Sequence, residues 1–194
     1  MTPAARLARI AVIVCLGGCA GAPPARLVTL DQGGPRTARS STAPRIAVVR
    51  ADLPELIDRP QLVIRTDGHR VTFSEQYRWA EPLRRQIPRL IAHDLGEILD
   101  AAAVAALPGD GFDPHFKLSL DFQQLDAVAG HGIDVDVRWR LEDRSRRSVV
   151  GRSRFRQPLA QPMNDQVTVV TAQRQALRRV AAEIAKEIAA FRQP

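Results

Sequence analysis

Phe116-Lys117-Leu118-Ser119-Leu120-Asp121-Phe122, followed by Ile133-Asp134-Val135-Asp136-Val137-Arg138-Trp139-Arg140-Leu141, is the stretch that decides the fold. Apolar and polar residues alternate through both segments. Side chains of a strand point alternately to its two faces, so each segment buries one face and wets the other. A third segment, residues 148–158, sets apolar positions between arginines, and residues 143–147 read as the polar turn leading into it. Outward from this meander, residues 45–51 read as a buried strand and residues 61–66 as another. Asp67-Gly68 then turns the chain into a short strand over residues 70–74, because Asp-Gly between apolar runs favours a hairpin.

Two helices complete the pattern. Trp79, Leu83, Ile87, Leu90, Ile91, Leu95, Ile98 and Leu99 recur at three- and four-residue steps, the spacing of one helical face. Pro82 suits a first turn. Pro88 removes a backbone donor and predicts a kink or a delayed start. The helix is expected to run out in an Ala-rich stretch before Pro108-Gly109. Val170, Leu177, Val180, Ala181, Ile184, Ile188 and Phe191 mark a long C-terminal helix. The order βββ-α-βββ-α implies one α+β domain, a mixed or antiparallel sheet of about six strands packed against two helices.

The N-terminus carries a second message. Arg6 and Arg9 precede an apolar run from Ile10 to Leu16, then Gly17, Gly18 and Cys19. This is a three-part signal pattern. Small residues before the cysteine read as a lipobox, with residues 1–18 cleaved and a covalent lipid, palmitate among its chains, on Cys19. Seven apolar residues are too few to span a bilayer, which takes about 20. Ala20 follows Cys19 in place of an inner-membrane-retaining Asp, which favours the outer membrane. Cys15 and Cys19 are the only cysteines, so processing would leave a body without disulfides or a thiol nucleophile.

Pro, Gly and Ser crowd the stretch that follows, so residues 19–43 read as the lipidated N-terminus and a flexible linker, and residues 44–194 as the domain. Fully extended, such a linker reaches about 80 Å. The formal charge of +7 comes almost wholly from arginine. Those arginines are spread along the body with little aromatic interleaving. That argues against a nucleic-acid interface and for a surface facing anionic lipid or a protein partner.

Two segments resemble the PqiC family of ABC-type transport auxiliary lipoproteins. One is Leu53-Pro54-Glu55-Leu56-Ile57-Asp58-Arg59-Pro60-Gln61-Leu62-Val63-Ile64-Arg65, and the other is Arg78-Trp79-Ala80-Glu81-Pro82-Leu83. The resemblance covers residues 44–192 and the signal peptide. It implies a non-enzymatic outer-membrane lipoprotein on the periplasmic side. Such a subunit works with an MCE-domain protein and an inner-membrane permease and ATPase in lipid transport that maintains membrane integrity. A homo-oligomer is compatible with that role.

The residues add their own reading. Arg59-Pro60 fixes the chain before a strand, and Asp58 would bond the turn backbone. Trp79 reads as a core plug or a partner contact. Leu53, Leu56 and Ile57 would pack beneath the loop or offer a docking surface. Leu53, Leu56, Ile57, Asp58, Arg59 and Trp79 are therefore the candidate partner-binding residues. Catalytic patterns are weak: there is no Gly-x-Ser-x-Gly, His-Glu-x-x-His or phosphate-binding Gly loop. His131-Gly132-Ile133-Asp134 and Asp110-Gly111-Phe112-Asp113-Pro114-His115 read as polar turns before strands rather than metal sites, so no metal or other cofactor is expected. A stand-alone envelope protein, either an assembly factor or a hydrolase, is the competing reading.

Overall fold

A computed structural model describes residues 24–31, 43–109, 111–159 and 166–191. The signal segment, Cys19, and the expected linker apart from residues 24–31 and 43 lie outside them. Among the described residues eight strands and two helices follow one another: β1 (Arg26–Val28), β2 (Ile46–Asp52), β3 (Gln61–Arg65), β4 (Val71–Trp79), α1 (Leu83–Ile98), β5 (Val104–Ala106), β6 (Phe116–Val128), β7 (Gly132–Asp143), β8 (Ser148–Gln157) and α2 (Gln166–Phe191). The strands form a single mixed sheet, as the patterning implies. There are eight rather than about six because each half gains a three-residue strand.

Strand β6 organises the sheet. On one side it pairs antiparallel with β7 along its whole length, and β7 pairs antiparallel with β8. On the other side β2 runs parallel to its first half, from Phe116 to Asp121, and β3 runs parallel to its end, at Ala127 and Val128. Beyond β2 lies β5, and beyond β3 lie β4 and then β1. Both helices cover one face. Phe116, Leu118, Leu120 and Phe122 of β6, and Ile133, Val135, Val137, Trp139 and Leu141 of β7, are buried there against Ile87, Ile91, Leu95, Leu177, Val180 and Ile184. A bulge between Phe122 and Gln124 shifts the alternation, so Leu125 and Ala127 face inward after it. Gly151 stands opposite Trp139, where an added Cβ would lie 2.0 Å from the indole. The glycine is what lets the ring lie over the neighbouring strand.

Four expectations are corrected. First, the expected linker contains β1, parallel to the end of β4, and Leu30 beyond it is buried. Gln86 holds this segment: its side-chain carbonyl accepts from the Leu30 amide at 2.9 Å and the Thr29 hydroxyl at 3.1 Å. Second, the strand expected at residues 70–74 continues to Trp79, so Trp79 closes β4 instead of opening the helix. Third, α1 starts at Leu83 with Pro82 as its cap and runs unbroken through buried Pro88 to Ile98, so Pro88 does not delay its start. Fourth, the Ala-rich run is not helical. The Ala101 amide donates to Gly96 and the Asp100 amide to Glu97, closing α1 with Asp100 at φ 48°. The Ala-rich chain then forms β5 beside β2.

One buried ion pair joins the helices. Arg174 of α2 donates through both terminal nitrogens to the carboxylate of Asp94 in α1, at 2.7 and 2.6 Å. The Asp94 side chain is fully buried, and that of Arg174 is 12% exposed. Losing one member strands the other charge in the core, which typically costs about 3–5 kcal/mol. Asp94→Ala is expected to lower stability by about that amount in urea titrations. The double replacement Asp94→Leu with Arg174→Met should recover most of the loss, because apolar residues of similar volume commonly match a buried pair.

Candidate partner-binding site

The candidate residues come from the connection between β2 and β3 and from the end of β4, and the fold brings them together. Residues 53–60 fold into a tight turn: the amides of Ile57 and Asp58 donate to the Pro54 carbonyl, and the Arg59 amide donates to that of Ile57. The Pro60 carbonyl then accepts from the Trp79 amide at 2.7 Å, joining the turn to β4. One residue on, the Ala80 amide donates to Val28 of β1 at 2.8 Å.

Burial divides the six residues. Ile57 and Trp79 are buried, and Leu53 and Leu56 are half-buried against the core. Leu56 and Ile57 close over the sheet face opposite the helices. They meet Val63, Val71 and Asp126 and leave no space for a water molecule. Asp58 lies 3.6 Å from the Arg84 guanidinium in the first turn of α1. Arg59 lies over the ring of Phe73, 4.5 Å from its centroid. Its Nε is buried without a hydrogen-bond partner. The polar members are thus turned toward α1 and β4.

The histidine motifs are taken up by structural contacts. His115 Nδ1 accepts from the Arg45 amide at 2.9 Å. Asp113 pairs with Arg144, and Asp134 with Arg156. Asp110 lies outside the described residues. Near Gly111–His115 an open polar cleft of about 480 Å³ runs between this loop and the β7–β8 turn. His93, Asp94 and Glu97 place potential ligand atoms within 4.8 Å of one another. Both oxygens of Asp94 are already held by Arg174, and Glu97 lies 3.5 Å from Arg178.

A feature that the linear sequence disperses is gathered by the sheet. On the face away from the helices, Arg138 and Arg140 of β7 stand beside Arg152, Arg154 and Arg156 of β8. Beneath them lie carboxylates. Arg152 grips Asp136 through two nitrogens, its Nε at 2.7 Å, and Arg154 approaches it at 3.8 Å. Arg156 holds Asp134, and Arg65 of β3 holds Asp126 at 2.8 Å.

The family can now be assigned. A model described as "ABC-type transport auxiliary lipoprotein component" matches residues 29–185, most of the chain. The chain belongs to this family. The resemblance carried by residues 53–65 and 78–83 therefore holds, and membership makes the chain a transport-associated lipoprotein of an envelope membrane. The family is described as one of transport auxiliary components. No curated protein matches the sequence. Solved structures share the fold. An uncharacterized protein superposes with a TM-score of 0.69 at 17% identity, covering 86% of this chain and 99% of its own. A Xanthomonas campestris protein from a domain family of unknown function gives 0.61 at 18% identity, over 84% of this chain and 90% of its own. Among the described residues, no helix is long and apolar enough to cross a membrane.

Two of these carboxylates, Asp134 and Asp136, are held ionised. The hydrogen bond from Arg152 is the main cause that lowers the Asp136 pKa below its ordinary value, and the bond from Arg156 does the same for Asp134. A depressed native pKa means that the unfolded chain binds more protons in this range. The stabilisation is complete above the ordinary carboxylate value and is lost as pH falls through the native one. Melting temperature should therefore drop as pH falls below about 4. Asp136→Asn should make this acid limb shallower, as read by thermal melts across the pH range.

Proposed function

We propose that this chain is the outer-membrane lipoprotein subunit of an MCE/ABC-type lipid transport system that maintains the integrity of the envelope, acting without catalysis of its own. The family match across residues 29–185 carries the reading, since it assigns the chain to auxiliary components of ABC-type transport. The residues support it in two ways. Cys19 ends a lipobox-like segment and would carry the lipid anchor. The turn at residues 53–60 is tied to Trp79 and β1, so it forms a rigid structure of the kind that recognises a partner without reordering. Leu53 and Leu56 with Asp58 and Arg59 form the edge offered to an MCE-domain protein, while Ile57 and Trp79 fix that edge from below. In this reading the inner-membrane permease and ATPase are reached through the MCE protein, and copies of the subunit assemble around it.

The test is a mild-detergent pull-down of the tagged, lipidated protein from envelopes, beside a Cys19→Ala control, read by mass spectrometry. An MCE-domain protein enriched with both forms is the expected outcome, because the folded body carries recognition. Reversing the edge with Asp58→Arg should reduce recovery of that partner. Recovery of the protein alone, in both forms, would overturn the transport assignment.

A further inference from the structure

The tether between lipid and fold is shorter than the composition of the N-terminal region implies. Strand β1 locks Arg26 against Tyr77, through pairing of the backbones and a 3.1 Å bond from the guanidinium to the phenol oxygen. Only seven peptide steps separate Cys19 from Arg26. Fully extended they reach about 25 Å. A compact domain of this size is roughly 40 Å across. A body held on a tether shorter than its own diameter must keep part of its surface close to the bilayer.

Charge depth distinguishes the two sides of the body. On the helix side the difference in depth is small: Glu97 and Glu183, each 36% exposed, lie beside Arg178 at 57% and Arg179 at 51%. On the open sheet face the acids are recessed and the bases stand over them. The Asp136 side chain is 10% exposed and that of Arg154 is 73%. Arg138 is paired in register with Arg152 on one side and Asp121 on the other. Placing two like charges opposite each other disfavours the strand pairing by itself. Among the described residues Arg140 makes only a long 3.4 Å bond, to Ser148. Val150 lies among these guanidiniums and is 60% exposed. Over these two strands an incoming surface therefore meets guanidiniums and a methyl-bearing side chain before it reaches Asp134 or Asp136. Guanidinium forks match phosphate oxygens in geometry and charge.

We propose that this open face, centred on Arg138, Arg140, Arg152 and Arg154 around Val150, lies on the anionic phospholipid headgroups of the membrane that holds the chain. The inference rests on the reading of Cys19 as the lipid attachment site. It turns the helices away from the bilayer.

The mature lipidated chain provides its own probe, because processing leaves no other free thiol. A fluorophore is placed at Val150→Cys or, on the outer side of α2, at Ala189→Cys. Each protein is reconstituted in vesicles of phosphatidylcholine alone or mixed with phosphatidylglycerol. The label at position 150 should be quenched by headgroup-borne nitroxide and shielded from acrylamide only in the mixed vesicles. High salt should reverse this. Arg138→Gln and Arg154→Gln should each shift the ratio of shielded to exposed label about fivefold, the effect of one basic residue at an anionic surface. The label at position 189 should remain aqueous throughout. Equal exposure of position 150 in both vesicle types overturns the proposal even if the substituted chains fold poorly, because that comparison uses unaltered arginines. Shielding that appears only when a co-purified protein is added, in either lipid, also overturns it and assigns the face to protein. Failure of the protein to float with vesicles removes the lipid anchor and defeats the lipoprotein reading as well. Flotation without shielding defeats the face assignment alone.

Discussion

Backbone hydrogen bonding along β6 is the constraint on which the rest of the structure depends. The strand is thirteen residues long. Both of its edges are inside the sheet, and buried backbone groups must find partners. Strand β7 satisfies one edge along its full length. The other edge is divided between β2, which serves the first half, and β3, which serves the end. The chain leaves the sheet between them and returns, and that excursion is the turn at residues 53–60. The bulge near Gln123 falls at the same level and rotates the end of β6, so Asp126 faces Arg65 and the underside of the turn. The rigid candidate edge is thus a product of how one long strand is paired.

Much of this was legible in the chain because burial on one face of a sheet writes a period of two. Leu118, Leu120, Val135, Val137 and Trp139 announce their strands without tertiary knowledge. Strand β1 does not, because Arg26, Leu27 and Val28 show no pattern. Pairing with β4 and the grip of Gln86 on Leu30 create that strand, and both come from residues about fifty positions away. Strand β4 misleads for a different reason. Trp79, Leu83 and Ile87 lie four apart, which mimics one helical face, although Trp79 ends a strand and Leu83 begins a helix. The turn and Trp79 were both identifiable as candidates. Their contact through Pro60 was not, since it depends on backbone atoms that every residue possesses.

The ion pair between Asp94 and Arg174 had a visible signal of another kind. Asp94 falls on the apolar stripe of α1 between Ile91 and Leu95, and Arg174 lies between Val170 and Leu177 on α2. A charge on a core stripe requires an internal partner, because an unpaired buried ion is strongly disfavoured. Two such charges of opposite sign, one per helix, point to each other. Geometry then limits how α1 and α2 slide past one another. A bidentate fork tolerates little displacement, whereas the surrounding leucines and isoleucines would accept several registers. Gln86 on the same helix holds Leu30, so the register of α1 also sets where the N-terminal segment is held.

Strand β8 brings these constraints to the surface. Among the described residues its outer edge pairs with no other strand, which leaves a ten-residue ladder unpaired there. Long open edges invite pairing with other chains, and charged side chains are a common protection. Arg152, Arg154 and Arg156 provide that protection on alternate positions. Their charge needs compensation within the sheet, and Asp134 and Asp136 on β7 supply it from below. Carboxylates reach only a short distance from the backbone, whereas arginine extends well beyond it. The pairing therefore sets negative charge deep and positive charge outermost. The outward-facing cationic layer follows from stabilising an edge strand with residues of unequal length. Its two further members, Arg138 and Arg140, lie one strand in, where edge protection does not account for them.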